Sequence, residues 1–460
     1  MKTRYAYRWV NNHAVIRLFE KVLLRRGDAF SRLQAGPEGI ENPYALIEEL
    51  RGDGGLVRTP PVWMAFDHDL VREILRDNRF GVGVPAAFGS PRPLRRWLDR
   101  NPLPPNPADA PSLLVIDQPE HTRLRKPVTA AFTPRAVTRL RERIETVTEE
   151  LLDAMPEDGP TDLVQRFSSR LPIAIISEML GFPEDDIEMF LRWGDDISPL
   201  FDLGISWRTH QRAMEASERV QEYLLAHVER LRVDPGDDIL SNLVTAGELD
   251  TYELCATATL LMAAGFETTV NLVGNGITWL LRHPEQLDRL RAEPDLWPNA
   301  VDEILRIDPP VQTTARTARE PLEVGGLKLR KGSVVVLSLA GANRDPRVFP
   351  DPTTFDLTRS NAKSHVSFSN GIHVCPGSNL ARMEAIHALR ALFERFPDLR
   401  LTDPPTRRQL YTLHGYRHLP AHTGRRFRPQ EVADRRVPPL AAAQPDPLAA
   451  DRAPLPTARD

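Results

Sequence analysis

Hydrophobic positions recur with a helical period almost without pause from residue 118 to 292, with breaks where Pro134, Pro156, Pro183, Pro235 and Pro284 stand. Shorter helical patterns lie at 44–54, 68–78 and 378–396. The period changes at 309–338, where Val- and Thr-rich alternation surrounds Gly325 and Gly326 and reads as short strands. Leu56 and 62–66 read as another strand pair. The stretches 81–111 and 341–376 are rich in Pro and Gly and show no period. A connection as long as 81–111 is usually either functional or disordered. No repeat and no shift in composition divides the helical body. These patterns predict a mostly α fold with small β-sheets. Its parts are a basic leader at 1–34, one body at 35–428, and a Pro/Ala-rich tail at 429–460 expected to be disordered.

The leader lacks the uninterrupted apolar region and small-residue cleavage site of a signal peptide. Val15, Ile16, Phe19, Val22, Leu23 and Leu24 fall near one helical face. Two readings follow: a membrane-surface helix, or a leading helix packed on the body, which is the reading we prefer. The stretch 255–273 is about long enough to span a bilayer, but it carries Glu267 and four threonines, so a buried central helix is expected. With a mean hydropathy of −0.35, the chain reads as cytoplasmic. Its 59 basic residues, only six of them Lys, against 63 acidic ones give a net charge of −4, which argues against a dedicated nucleic-acid binder. Two cysteines, Cys255 and Cys375, provide neither a disulfide framework nor a paired-Cys zinc or iron–sulfur site.

The strongest constellation is FSNGIHVCPG at 368–377, a cysteine between two glycines just before a helix. A thiolate there can accept backbone N–H bonds and feel the helix N-terminus, both of which lower its pKa. A single thiolate suits haem iron, which needs only one protein axial ligand, or the cysteine is simply a buried free thiol in a Gly turn. Cys255, inside the apolar helix, reads as core. Phe368, Gly371, Cys375 and Gly377 match a loop pattern F-x-x-G-x-x-x-C-x-G. Here the chain resembles the cytochrome P450 superfamily, the haem-thiolate monooxygenases, from about residue 42 to 420. It looks closest to soluble bacterial members, particularly actinobacterial and mycobacterial ones. The resemblance implies haem b (iron protoporphyrin IX) ligated by Cys375, with Phe368 shielding the sulfur and Gly371 permitting the turn. Pro376 stands where many bacterial relatives carry Leu. It has no N–H, and fewer donors to sulfur should lower the reduction potential, so Pro376→Leu is expected to raise it.

The segment AAGFETT at 263–269 sets an acid beside an alcohol in an apolar helix, with Gly265 where a helix can kink. By resemblance Ala264 and Gly265 border the oxygen-binding kink. Glu267 and Thr268 would then deliver the two protons that O2 activation consumes. Glu303 and Arg306 share one helix face and resemble the family's buried E-x-x-R. The usual third partner is missing because Thr354 stands in its place, and Arg359 is the candidate substitute. His121 and Arg125, Arg316, and His373 resemble family contacts to the haem propionates, which need cationic partners.

No flavin-binding or ferredoxin-like module is present, so the resemblance implies electrons from NAD(P)H through a separate ferredoxin and ferredoxin reductase. Arg123 and Lys126 are candidate steering charges. Substrate contacts are expected from 81–111, 198–207, 260–264, 311–314, Leu413 and His414. These are mostly apolar and imply a hydrophobic small molecule such as a lipid, polyketide, steroid or terpenoid. A monomer is expected. Three rival readings are a peroxygenase of the same fold, a non-catalytic haem-binding or ligand-sensing protein, and a zinc hydrolase using His365, His373 and Cys375. The retained Glu267 and Thr268 oppose the first two, and the ligand spacing opposes the third.

Overall fold

A computed structural model of the chain describes residues 2–52, 54–82, 104, 107, 109–131 and 134–428. Most of the 81–111 connection and the tail at 429–460 lie outside the described residues. The apolar run at 255–273 belongs to one 32-residue helix, Thr251–Arg282. Its start is fixed by a reciprocal pair: the Asp250 side chain accepts from the Glu253 N–H, and Glu253 accepts from the Asp250 N–H. Helices Arg170–Leu180, Trp207–Val233, Trp297–Ile307 and Ser378–Arg395 pack around it, which is why its apolar residues run round the helix rather than along one stripe. Cys255 lies in this core, and burial pushes its thiol up to about 11. Among the described residues no helix is long and apolar enough to cross a membrane.

The strands gather to one side. A five-stranded sheet runs in the order Leu56–Thr59, Val62–Ala65, Val334–Ser338, Thr313–Ala318, Phe80–Gly81. Only the Val62–Ala65 and Val334–Ser338 pair is parallel. A hairpin, Leu322–Val324 with Leu327–Leu329, turns at Gly325 and Gly326, both at positive φ. The alternation at 309–338 thus builds both units.

The leader forms helices Lys2–Trp9, Val15–Arg25 and Ala29–Ala35, with a π-helical turn between the first two. It packs on the body, but not with the face expected. Val15, Phe19 and Val22 point to solvent together with Leu18, whereas Ile16, Leu23 and Leu24 are half-buried.

Candidate active site

The loop 368–377 is shaped by its own backbone. The Cys375 N–H donates to the Phe368 carbonyl at 3.0 Å, closing the loop on itself, and the Val374 N–H donates to Gly371 at 3.2 Å. Gly371 sits at φ +71°, and a Cβ there would lie 2.5 Å from the Leu75 carbonyl oxygen, so conformation and space both demand glycine. Asn370 caps the Gly371 N–H at 2.7 Å and is itself held by Arg76 at 3.0 Å. Helix Ser378–Arg395 follows directly. Burial pushes the Cys375 thiol above its ordinary value, against the pull of the Gly377 N–H, Arg125 and Arg382. The expected lowering therefore does not come from the loop alone; a coordinated cation is what ionises such a thiol. Phe368 is clamped by the Arg382 guanidinium, 4.6 Å from its ring centroid, and by the His365 ring at 5.8 Å. Arg382 and His365 both reach Asp302, at 2.7 and 3.3 Å.

Four basic groups converge above this loop. The His121 and His373 rings are 4.2 Å apart. Arg125 donates to the Val374 carbonyl at 2.7 Å, and buried Arg316 donates to Ala315 at 2.8 Å. Burial, then the neighbouring His121, Arg316 and Arg125, drives His373 down to about 3. Burial also lowers His121 and brings Arg316 down to about 10. Asp117, the nearest acid acting on Arg316, is engaged by Arg319 at 3.3 Å and the Val82 N–H at 3.0 Å. The Nε2 atoms of His121 and His373 are buried without a hydrogen-bond partner among the described residues. Orphaned imidazole nitrogens beside the half-buried Arg125 and buried Arg316 guanidiniums fit a dianionic group, as two propionates require.

The central helix is buried almost throughout, yet Leu260, Leu261, Ala264, Gly265 and Thr268 are incompletely covered. They fall on one helical stripe and mark the side where protein does not fill the space. The helix is continuous, and Thr268 Oγ1 donates to the Ala264 carbonyl at 2.7 Å. Glu267 is fully buried, with its Oε1 2.9 Å from Arg408 Nε and its Oε2 3.5 Å from the Ser198 hydroxyl. Burial raises its pKa, opposed by Arg408 and reinforced by Asp195.

Glu303 and Arg306 form a fully buried bidentate pair at 2.6 and 2.8 Å. Arg306 also donates to the carbonyls of Asn343, Pro352 and Thr354. Arg359 supplies the missing third partner, with Nε 3.3 Å from Glu303 Oε1.

The family sequence profile described as Cytochrome P450 matches residues 90–409. The chain belongs to the cytochrome P450 family. Cytochrome P450 140 of Mycobacterium tuberculosis is 45% identical over 428 residues, covering 90% of this chain and 97% of that one. The 6-deoxyerythronolide B hydroxylase of Saccharopolyspora erythraea is 41% identical over 377 residues, covering 78% and 89%. The crystal structure of P450BioI in complex with hexadec-9Z-enoic acid ligated acyl carrier protein superposes with a TM-score of 0.78 at 33% identity, covering 84% of this chain and 100% of that one. The protein is thus a P450 monooxygenase.

Three groups in this P450 site escaped the sequence reading. Arg382 and Asp302, which brace Phe368, carry no motif of their own. Arg408, the partner of Glu267, lies 141 positions further along the chain. Two expectations need correction. Arg123 is held by Glu120 at 2.8 Å and by Glu253, so its charge is compensated, whereas Lys126 is exposed. His414 bonds Asp308 at 2.7 Å and is a structural group.

Proposed function

We propose that this P450 is a haem-thiolate monooxygenase of hydrophobic small molecules. Cys375 is assigned as the iron ligand, and His121, Arg125, Arg316 and His373 as the propionate contacts. The observation that carries the assignment is the pair of orphaned imidazole nitrogens beside two guanidiniums, above a loop that presents a single thiol. Haem, when bound, supplies the iron at which O2 is activated, so that one oxygen atom enters a C–H bond and the other leaves as water. In this reading Ala264 and Gly265 shape the oxygen side. Thr268 presents its hydroxyl there, and Glu267, poised by burial against Arg408, relays protons toward it. Phe368 and Gly377 limit solvent and hold a donor at the sulfur, and the Glu303–Arg306–Arg359 cluster fixes the backbone under the loop.

The incompletely covered stripe of Leu260, Leu261, Ala264 and Gly265 on the central helix supports an apolar substrate. So do relatives named for 6-deoxyerythronolide B or bound to a hexadecenoyl carrier protein. Electrons would come from NAD(P)H through a ferredoxin and its reductase, with Lys126 on the receiving face. The test is the absorption spectrum of the dithionite-reduced, haem-loaded protein under carbon monoxide. The strongly red-shifted Soret band of a thiolate ligand is expected, and Cys375→Ser should abolish it. A wild-type band only at the unshifted position would overturn the ligand assignment. Low-to-high-spin titration with fatty acids and macrocyclic lactones then ranks substrates.

A further inference from the structure

Helix Val15–Arg25 buries no side chain fully. Val15, Leu18, Phe19 and Val22 stand at i, i+3, i+4 and i+7, and are 39%, 67%, 44% and 42% exposed. Val10, before the helix, and Leu203, on the neighbouring connection, are exposed too. An apolar stripe of this spacing normally turns toward a core. Here it turns outward although the leader is firmly seated. Trp9 Nε1 donates to the Ile205 carbonyl at 2.8 Å and Arg17 to the Gly204 carbonyl at 2.9 Å. The Trp9 ring meets Trp207 edge-on at 5.9 Å, Tyr5 bonds Glu218, and Arg8 pairs with Asp109. The exposure is therefore not that of an undocked helix.

Charge identifies what covers the stripe. The first 26 residues hold seven basic side chains and one acidic one, in a chain whose net charge is −4. Lys21, Arg25 and Arg26 are exposed. On the helical wheel Lys21 and Arg25 border the stripe, and Arg26 closes its end. The single acid, Glu20, is turned inward against Gly204 and is half-buried. A second copy docked through this stripe would bring both sets of cations together with no facing acid from the segment. An anionic bilayer offers what both halves of the surface need, acyl chains for the stripe and phosphates for the cations.

We propose that the leader is a membrane-surface helix that seats Val15, Leu18, Phe19 and Val22 among the acyl chains of an anionic bilayer, with Lys21, Arg25 and Arg26 on the headgroups. No described helix can cross a membrane, so the contact is peripheral. The test is co-sedimentation of the full-length protein with vesicles. One set is pure phosphatidylcholine, and the other is an equal mixture of phosphatidylcholine and phosphatidylglycerol. The wild type should partition onto the mixed vesicles at least about tenfold better than onto the neutral ones, and lose that excess in high salt. The double variant Leu18→Asp/Phe19→Asp should lower partition about a hundredfold, because two apolar side chains no longer leave water. Both positions are exposed, so the fold is preserved; unchanged circular dichroism confirms it. Equal sedimentation with and without vesicles refutes the proposal. So does binding that survives in the double variant, which would show charge adsorption alone. A wild-type dimer that the double variant converts to monomer, without lipid binding, would assign the stripe to a second copy instead.

Discussion

Arg359 is the clearest place to test the cluster beneath the Cys loop, because its loss can be counted bond by bond. It is 8% exposed and donates to the carbonyls of Pro350 at 2.7 Å, Asp351 at 3.1 Å and Thr354 at 3.2 Å, besides its long contact to Glu303. In Arg359→Ala the Thr354 carbonyl keeps Arg306, and Glu303 keeps both Arg306 bonds and the Asp356 N–H at 3.0 Å. No buried charge is left unbalanced. What is lost is the partner of two carbonyls, at about 1–3 kcal/mol each, and since Asp351 is exposed, water replaces part of that. The expected cost is about 2–4 kcal/mol. Arg306→Ala should cost more. It breaks a fully buried bidentate pair, at a cost of about 3–5 kcal/mol, and strips the Asn343 and Pro352 carbonyls as well, while the Thr354 carbonyl keeps Arg359. With an unfolding entropy of about 2 cal/mol/K per residue over the folded body, these costs shift the midpoint by about 2–5 °C for Arg359→Ala and more for Arg306→Ala. Thermal unfolding followed at 222 nm at a fixed scan rate gives both numbers. An Arg359→Ala midpoint within 1 °C of wild type, or a cost exceeding that of Arg306→Ala, would refute the reasoning.

Two further outcomes follow from the same geometry. Gly371→Ala and Gly326→Ala place a Cβ at nearly the same φ, +71° and +72°, but only the former meets a backbone oxygen, at 2.5 Å, while the latter meets open space. Gly326→Ala should cost about 1–2 kcal/mol of backbone strain. Gly371→Ala should cost more and lose the red-shifted carbon monoxide band; equal midpoints would remove the Leu75 contact from the argument. Under the leader, the His13 and His210 rings are 5.2 Å apart, and burial holds them near 3 and 4, with Arg8 adding repulsion to both. Asp109, paired with Arg8, and Tyr252 complete the surroundings. The folded pKa values lie below the unfolded value of about 6.5, so stability is full above pH 6.5 and falls with each unit of acidification until the folded values are reached. At pH 5 the loss is about 2 kcal/mol per imidazole, or about 4 kcal/mol for the pair. Hydrogen exchange should show residues 2–25 losing protection between pH 7 and 5, and His13→Phe/His210→Phe should flatten the dependence; identical protection at both pH values would refute it.

Much of the fold and part of the site is legible in the sequence because it depends on local spacing. Gly371, Cys375 and Gly377 lie within one loop, and Glu303 and Arg306 within one turn, so the chain itself announces them. The strands at 313–318 and 334–338 are marked by β-branched residues, and the hairpin between them by a Gly-Gly turn. What spacing does not contain is the identity of distant partners. Arg359 was only a candidate because a guanidinium 53–56 residues from its acid and base leaves no periodic trace. His414 reads as a substrate contact in an apolar neighbourhood, yet Asp308 collects it together with Tyr44 at 2.7 Å and Trp279 at 3.1 Å. The Cys375 thiol shows a different limit. Donors and a helix end are visible in sequence, but the desolvation that outweighs them is a property of packing. The leader shows the same limit: its amphipathic period was plain, but which side the body would take was not.

The connection between helices Ile187–Ile197 and Trp207–Val233 ties these separate findings together. Just before it, in the last turn of helix Ile187–Ile197, Asp195 accepts from Arg408 at 2.8 Å, and at its start Ser198 reaches Glu267, the buried acid of the central helix. In its middle Asp202 accepts the N–H groups of Tyr411 and Thr412, both at 2.8 Å. At its end the Gly204 and Ile205 carbonyls are held by Arg17 and Trp9 of the leader. The segment expected to contact substrate is thus fastened on one side to the acid–cation pair beside the uncovered stripe, and on the other to a helix whose free face is apolar. A contiguous chain of bonds does not by itself transmit anything; transmission requires an element with two arrangements that both ends bias. Arg408 is shared between buried Glu267 and exposed Asp195, which lies in the last turn of helix Ile187–Ile197. Because Glu267 is fully buried, its affinity for a proton depends on that single cation far more than an exposed carboxylate's would.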